Sequence, residues 1–376
     1  MTNKGRKIIR PEGKNDRREI KEECTVHRLK IGQWEVPVPI IQGGMGVGVS
    51  LSGLAGAVAR EGGIGVISTA QIGYAEEGFE KDQAACNLRA IRKHIARAKE
   101  IAGGNGLVGV NVMVALKHYE EHVRAAAAAG ADVIISGAGL PSDLPALIDD
   151  PDRTKIAPIV SSARAAQLIL KMWDHHYHRT ADFLVVEGPL AGGHLGFTRE
   201  QLEHLDDVNF DGELSKILVC REFYEEKYGV SIPVIAAGGI FDRTDINHVL
   251  DLGVDGVQIA SRFVATEECD ASPAYKQAYI QAKEEDIAII QSPVGMPGRA
   301  LRNAFIRRVE ETKDPIRKCY NCLKKCNPAE VPYCITKALI DAVQGDVENG
   351  LVFCGANTGR IREMTTVHDL IKELIG

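Results

Sequence analysis

Phe183-Leu184-Val185-Val186-Glu187-Gly188-Pro189-Leu190-Ala191-Gly192-Gly193-His194-Leu195-Gly196 runs from an apolar tetrad into a glycine-rich turn that carries one histidine. An apolar run with no polar alternation reads as a strand buried on both faces, as strands of parallel sheets are. Glycines after it let the backbone approach a ligand closely and adopt φ > 0. The imidazole has an unperturbed pKa near neutrality, so it can give or take a proton. A Gly-Gly-His turn alone is equally well explained as a tight surface loop. Its neighbours along the chain give it weight.

Working outward, seven similar runs appear: Val38–Ile41, Ile64–Ile67, Leu107–Asn111, Val133–Ile135, Ile156–Val160, Pro233–Ala236 and Gly256–Ile259. Consecutive runs from Leu107 to Phe183 start about 25 residues apart, the length of one strand, one helix and their loops. The intervening pieces read as helices over 84–102, 118–129, 161–173 and 242–252. Serines open the third and an Asp the fourth, as N-caps, while Gly130 and Gly253 stop the second and fourth. Eight uniform parallel units predict an α/β fold of the (β/α)8 TIM-barrel type, with an open doubly wound sheet as the competing arrangement. The division expected is a charged arm over 1–28, the barrel over 29–285, and a cysteine-containing C-terminal extension over 286–376 that packs on it.

In such a barrel ligands sit at the C-terminal ends of the strands. Glycines, amides and hydroxyls collect there. The first strand ends in Gln42-Gly43-Gly44-Met45-Gly46, the third in Asn111, the fourth in Ser136-Gly137-Ala138-Gly139 and the fifth in Ser161-Ser162. The sixth ends in Glu187 and the histidine turn, the seventh in Ala237-Gly238-Gly239 and the eighth in Gln258-Ile259-Ala260-Ser261. Any one of these ends is ordinary turn chemistry. Together on one rim, with glycines after the seventh strand where barrels grip phosphate, they imply a flat phosphorylated cofactor.

Composition bounds the rest. The net charge of −6 gives no global attraction to nucleic acid. No apolar run approaches a membrane span, and the charged N-terminus lacks the apolar core of a secretory signal. It reads as a flexible arm that a partner subunit of a homo-oligomer would order. Nine cysteines without a signal sequence point to a reducing cytoplasm.

Joined in order, these motifs resemble those of the nitronate monooxygenase family, formerly called 2-nitropropane dioxygenases, and of the related flavin-dependent enoyl-ACP reductases. The likeness also takes in residues 262–268 and 292–299, and covers roughly Leu29 to Asn303. It implies a barrel holding non-covalent FMN, with Gly43, Gly44, Met45, Gly46 and Asn111 against the isoalloxazine. It places the phosphate against Gly239 and the turn of Gln258, Ile259, Ala260 and Ser261, with Glu187, Gly192, Gly193, Ala237 and Gly238 completing the cofactor site. His194 faces the reactive edge of the flavin as the catalytic residue. The implied reaction is O2-dependent oxidation of alkyl nitronates to a carbonyl compound and nitrite. The alternative is NAD(P)H-dependent reduction of an enoyl thioester delivered by an acyl-carrier protein. Three positions depart from the family pattern. Glu187 stands where glutamine is frequent, Leu190 where an acidic residue is frequent, and Ala260-Ser261 replaces a usual Gly-Thr.

Outside these motifs, Cys319, Cys322, Cys326 and Cys334 form C-x2-C-x3-C-x7-C. Four thiols so close in sequence suit an iron–sulfur cluster or a structural zinc, with small buried hydrophobes as the alternative. Cys354 is a substitute ligand, and Cys24, Cys86, Cys220 and Cys269 read as structural. His175, His176 and His178 read as a solvated helix end. Residues 299–326 hold nine basic against three acidic residues. That segment reads either as a solvated surface or as an attractor for an anionic partner such as a nicotinamide dinucleotide or a carrier protein.

Overall fold

The computed structural model describes residues 28–376. The N-terminal arm, except its last residue, and Cys24 lie outside them. Eight parallel strands close into a barrel: β1 (Ile40–Gln42), β2 (Ile64–Ser68), β3 (Leu107–Met113), β4 (Val133–Gly137), β5 (Lys155–Val160), β6 (Leu184–Glu187), β7 (Val234–Ala237) and β8 (Gly256–Ile259). Each pairs with the next in sequence, and β8 closes on β1 through Gln258 opposite Ile41. The runs are apolar on both sides because both sides are covered. Ile41, Val66, Val133, Ile135, Val185 and Ile235 fill the interior. Alternate residues such as Ile40, Ile67, Val110, Ile134, Val186 and Val257 pack outward against helices. An antiparallel hairpin, Leu29–Ile31 with Trp34–Val36, contributes Leu29, Ile31 and Val36 to the interior cluster and plugs the barrel beneath the site.

The expected helices form at Gln83–Ala102, Tyr119–Ala128, Ala163–Tyr177 and Arg243–Asp251. Ser162 caps the third through its hydroxyl, and Asp242 closes a capping box on the fourth. The fourth crossover differs from the uniform repeat, since between β4 and β5 there is only the 3-10 turn Leu144–Leu147. Pro141, Pro145 and Pro151 remove backbone donors through this segment and stop an α-helix from propagating.

Beyond β8 the chain leaves the barrel and returns. A four-residue helix, Ser261–Val264, follows the strand directly. Two strands, Ile287–Gln291 and Pro297–Leu301, then pair antiparallel, and the second pairs with Gly193–His194 over the barrel mouth. The last helix, Val367–Ile375, packs against Arg243–Asp251 and Ser52–Arg60. It therefore takes the place of an eighth barrel helix. No described helix is long and apolar enough to cross a membrane.

Candidate active site

A cavity opens at the C-terminal ends of the strands. The residues assigned above to the cofactor and to catalysis line it: Gly43 to Gly46, Asn111, Glu187, Gly192 to His194, Ala237 to Gly239 and Gln258 to Ser261; of the other strand ends Gly137 and Ala138 reach it, while Gln42, Ser136, Gly139, Ser161 and Ser162 do not.

The wall around Gly44 and Gly46 is built to close tolerance. Gln42 is fully buried and accepts a bond from the Val66 amide at 3.0 Å, fixing the start of the turn after β1. A Cβ on Gly44 would lie 2.5 Å from that of Asn111, and one on Gly46 2.8 Å from the Ser68 hydroxyl. On the opposite side Gly238 and Gly239 adopt φ of +87° and +92°, which L side chains rarely adopt. Asn357 donates to the Gly239 carbonyl at 2.6 Å, and the Gly355 amide donates to the Ser261 hydroxyl at 3.0 Å. A Cβ on Gly193 would meet nothing within 4 Å. These open glycine backbones beside a polar turn fit a flat cofactor with a phosphate at one end.

His194 stands on the two-residue strand Gly193–His194, held by Gly298 and Arg299 across the sheet. Its Nε2 lies 2.8 Å from the hydroxyl of Ser292, which is itself buried. The Phe353 ring packs edge-on at 4.9 Å between centroids. Burial pushes the imidazole down to about 4, so the ring is neutral at physiological pH. Glu187 ends β6 in the same cavity. Burial pushes its carboxyl up to about 8, against the opposing influence of Arg299. At neutral pH it is therefore a protonated donor and not a negative charge.

Arg299 is a buried clamp. Its guanidinium donates to the Pro189 carbonyl at 2.9 Å and also to that of Ala191, the two ends of the turn before the histidine. The basic segment, read from sequence as either a solvated surface or an attractor for an anionic partner, therefore starts with a residue spent inside the protein. Other members are also engaged: Arg302 with Glu310, Lys318 with Glu80, and Lys324 over the Tyr119 ring. Sequence reasoning missed Ser292, Phe353, Cys354 and Asn357 as parts of the site. They arrive from far along the chain; Ser292 falls within a family motif, and no local pattern marks the other three.

Cys319, Cys322, Cys326 and Cys334 line one separate cavity of about 380 Å3. Among the described residues no group of three or more His, Cys, Asp or Glu side chains is placed to hold a metal ion. Cys354 lines the larger cavity and takes no part here. His175, His176 and His178 are exposed at their helix end, as expected.

The comparisons with known proteins agree with this layout. A probable nitronate monooxygenase of Staphylococcus saprophyticus is 32% identical over 135 residues, 36% of this chain and 36% of that protein. The chain thus aligns with only about a third of the length of such relatives. A longer match, 25% over 272 residues, covers 72% of this chain and 65% of a Mycobacterium tuberculosis carboxyl-CoA dehydrogenase of a hydroxy-methyl-oxo-octahydroindene. Among solved structures, FabK from Thermotoga maritima superposes with a TM-score of 0.67 at 26% identity, covering 90% of this chain and 93% of that one. A nitroalkane oxidase from Streptomyces ansochromogenes shares the fold, with a TM-score of 0.66 at 22% identity over 90% and 95% of the two chains. The nitronate monooxygenase family model matches residues 28–376, nearly the whole chain, and the chain belongs to that family.

Proposed function

We propose that this protein is an FMN-dependent oxidoreductase that oxidises alkyl nitronates. The observation that carries the reading is His194, oriented by Ser292 at 2.8 Å, beside a glycine-lined cavity that Glu187 also lines; burial favours the neutral form of both side chains. A nitronate is an anion, and this wall offers hydrogen-bond donors to it without an opposing charge. FMN would rest against Gly43 to Gly46 and Asn111, with its phosphate at Gly239 and the Gln258–Ser261 turn. Bound there, it would supply the electron acceptor for the substrate and the means of returning those electrons to O2. His194 binds and orients the substrate and accepts or returns a proton at Nδ1, since Ser292 occupies Nε2. Phe353 packs edge-on against the imidazole, and Arg299 holds the turn that leads into it.

A second reading, reduction of an enoyl thioester at the expense of NAD(P)H, draws support from Glu187 and from the carboxyl-CoA relative, which covers twice as much of this chain as the nitronate relatives do. The two readings differ in where the electrons come from. Denatured protein should release FMN and not FAD. Mixed anaerobically with propyl nitronate and no nicotinamide, the yellow protein should bleach. A flavin that stays oxidised with the nitronate but is reduced rapidly by NADH, then reoxidised by an enoyl thioester, overturns the first reading in favour of the second. Colourless protein that takes up no FMN overturns both.

A further inference from the structure

Residues 312–334 join the helix Ala304–Glu311 to the helix Ile335–Gln344 with no helix or strand of their own. Loops beyond about 12–15 residues without regular structure are uncommon in compact proteins and are usually functional. This one is fastened at one side. The Lys117 amide donates to the Cys322 carbonyl at 2.9 Å, and the Lys324 amide to the Ala115 carbonyl at 2.9 Å. Those contacts dock the loop on the segment that follows β3.

Packing does not explain its four cysteines. Cys86, Cys269 and Cys354 are fully buried, as small hydrophobes should be. Cys319 is exposed, and Cys322, Cys326 and Cys334 are only half-buried. What the four share is the wall of one 380 Å3 cavity, closed otherwise by apolar groups such as Ile316, Leu323 and Ile335. A zinc ion would need four sulfurs about 2.3 Å from a single centre. Among the described residues no set of three or more such side chains is already placed around a single ion. A cluster of several iron and sulfide atoms is wide enough to reach ligands spread around a wall, and an apolar shell is what shields such a group from water.

We propose that this loop binds an iron–sulfur cluster, with Cys319, Cys322, Cys326 and Cys334 as its thiolate ligands. The site is distinct from the large cavity but adjoins it. Cys334 caps the helix on which Leu339 lines that cavity, five residues or about 7.5 Å along the axis. Ligation releases the thiol protons and ties down a loop that regular hydrogen bonding leaves unsupported.

The test uses the full chain, produced and purified without oxygen. Iron and acid-labile sulfide are measured per chain, and dithionite-reduced protein is examined by electron paramagnetic resonance. The expected result is stoichiometric iron and sulfide, with a cluster signal separate from any flavin radical. Replacing Cys322 and Cys326 together with Ser should abolish both, while Cys220→Ser, on the distant helix Phe210–Tyr228, should leave both unchanged. Far-UV circular dichroism of the double variant separates loss of the cluster from loss of the fold. Stoichiometric zinc without sulfide, or metal-free wild-type protein whose four loop thiols all titrate, overturns the proposal. Neither readout depends on a flavin, so it stands or falls apart from the nitronate reading.

Discussion

Burial acts on Glu187 and His194 in opposite directions on the pKa scale but toward the same electrical result, neutrality. The native Glu187 carboxyl at about 8 keeps a proton that the unfolded chain has already released above pH 4.5. Its favourable contribution to stability is complete below pH 4.5 and is lost as pH rises to about 8. His194 behaves conversely: its contribution is present above pH 6.5 and is lost as pH falls toward about 4. Glu187→Gln keeps an uncharged hydrogen-bonding group of the same shape. The variant should lose the fall in stability between pH 4.5 and about 8, and any limb of the pH–rate profile near 8 should disappear. Denaturant midpoints and kcat/KM on both sides of that pH check it, and an unchanged alkaline limb would assign it to another group. His194→Ala removes the one imidazole in the cavity but not the turns proposed to hold the phosphate. FMN content should be unchanged while turnover falls roughly 10²–10⁴-fold, the usual scale for an acid–base group. Equal turnover in the two proteins would move the chemistry elsewhere.

The histidine turn works because two elements meet on it, β6 from below and the strand Pro297–Leu301 from above. Arg299 joins them through the Pro189 and Ala191 carbonyls. Arg299→Met preserves much of the bulk but strands both carbonyls in the interior. A loss of about 1.5–3 kcal/mol is expected for each hydrogen bond to the charged group, with a parallel rise in KM as the turn loosens. Urea denaturation and steady-state kinetics measure the two effects, and a variant as stable as the parent would show that the turn holds its own shape. Gly192 offers a steric test of the same joint. A Cβ there would stand 2.5 Å from the Cys354 carbonyl carbon, which is backbone and cannot rotate away. Gly192→Ala should destabilise by about 1–3 kcal/mol, as overpacking does. This joint also marks how far the sequence could be read. The strands and their glycine ends were legible, because buried parallel strands leave unbroken apolar runs and tight turns need glycine. Ser292 was legible only as part of a family motif, and Phe353 and Asn357 not at all. They reach His194 and Gly239 through contacts spanning some 100 residues or more, such as 118 between Asn357 and Gly239, and no local periodicity encodes such a separation. The missing fourth helix was written in Pro141, Pro145 and Pro151, but regular spacing of the strands on either side concealed it.

At the scale of the molecule, the boundary expected at 285/286 does not coincide with a break in packing. The chain after β8 supplies the strand that pairs with His194, the Phe353 wall of the cavity, and finally the helix Val367–Ile375. That helix buries Val367, Leu370, Ile371 and Leu374 in the same core cluster as the outward faces of the barrel strands. Each such side chain is worth about 1.5–3 kcal/mol when fully buried. The four together come to about 6–12 kcal/mol as an upper figure, since the unfolded chain already hides some apolar surface. A whole domain is stable by only about 5–15 kcal/mol. Deleting residues 367–376 should therefore bring the folded state close to balance with the unfolded one, although every residue lining the cavity remains. The full chain should melt in one transition, with near-UV and far-UV circular dichroism coincident, as a single cooperative unit does. The shortened chain should show no such transition at the same temperature and should retain no flavin. A shortened chain that melts cooperatively near the parental temperature would mean that the barrel closes without its last helix, and that the segment after β8 is an appendage.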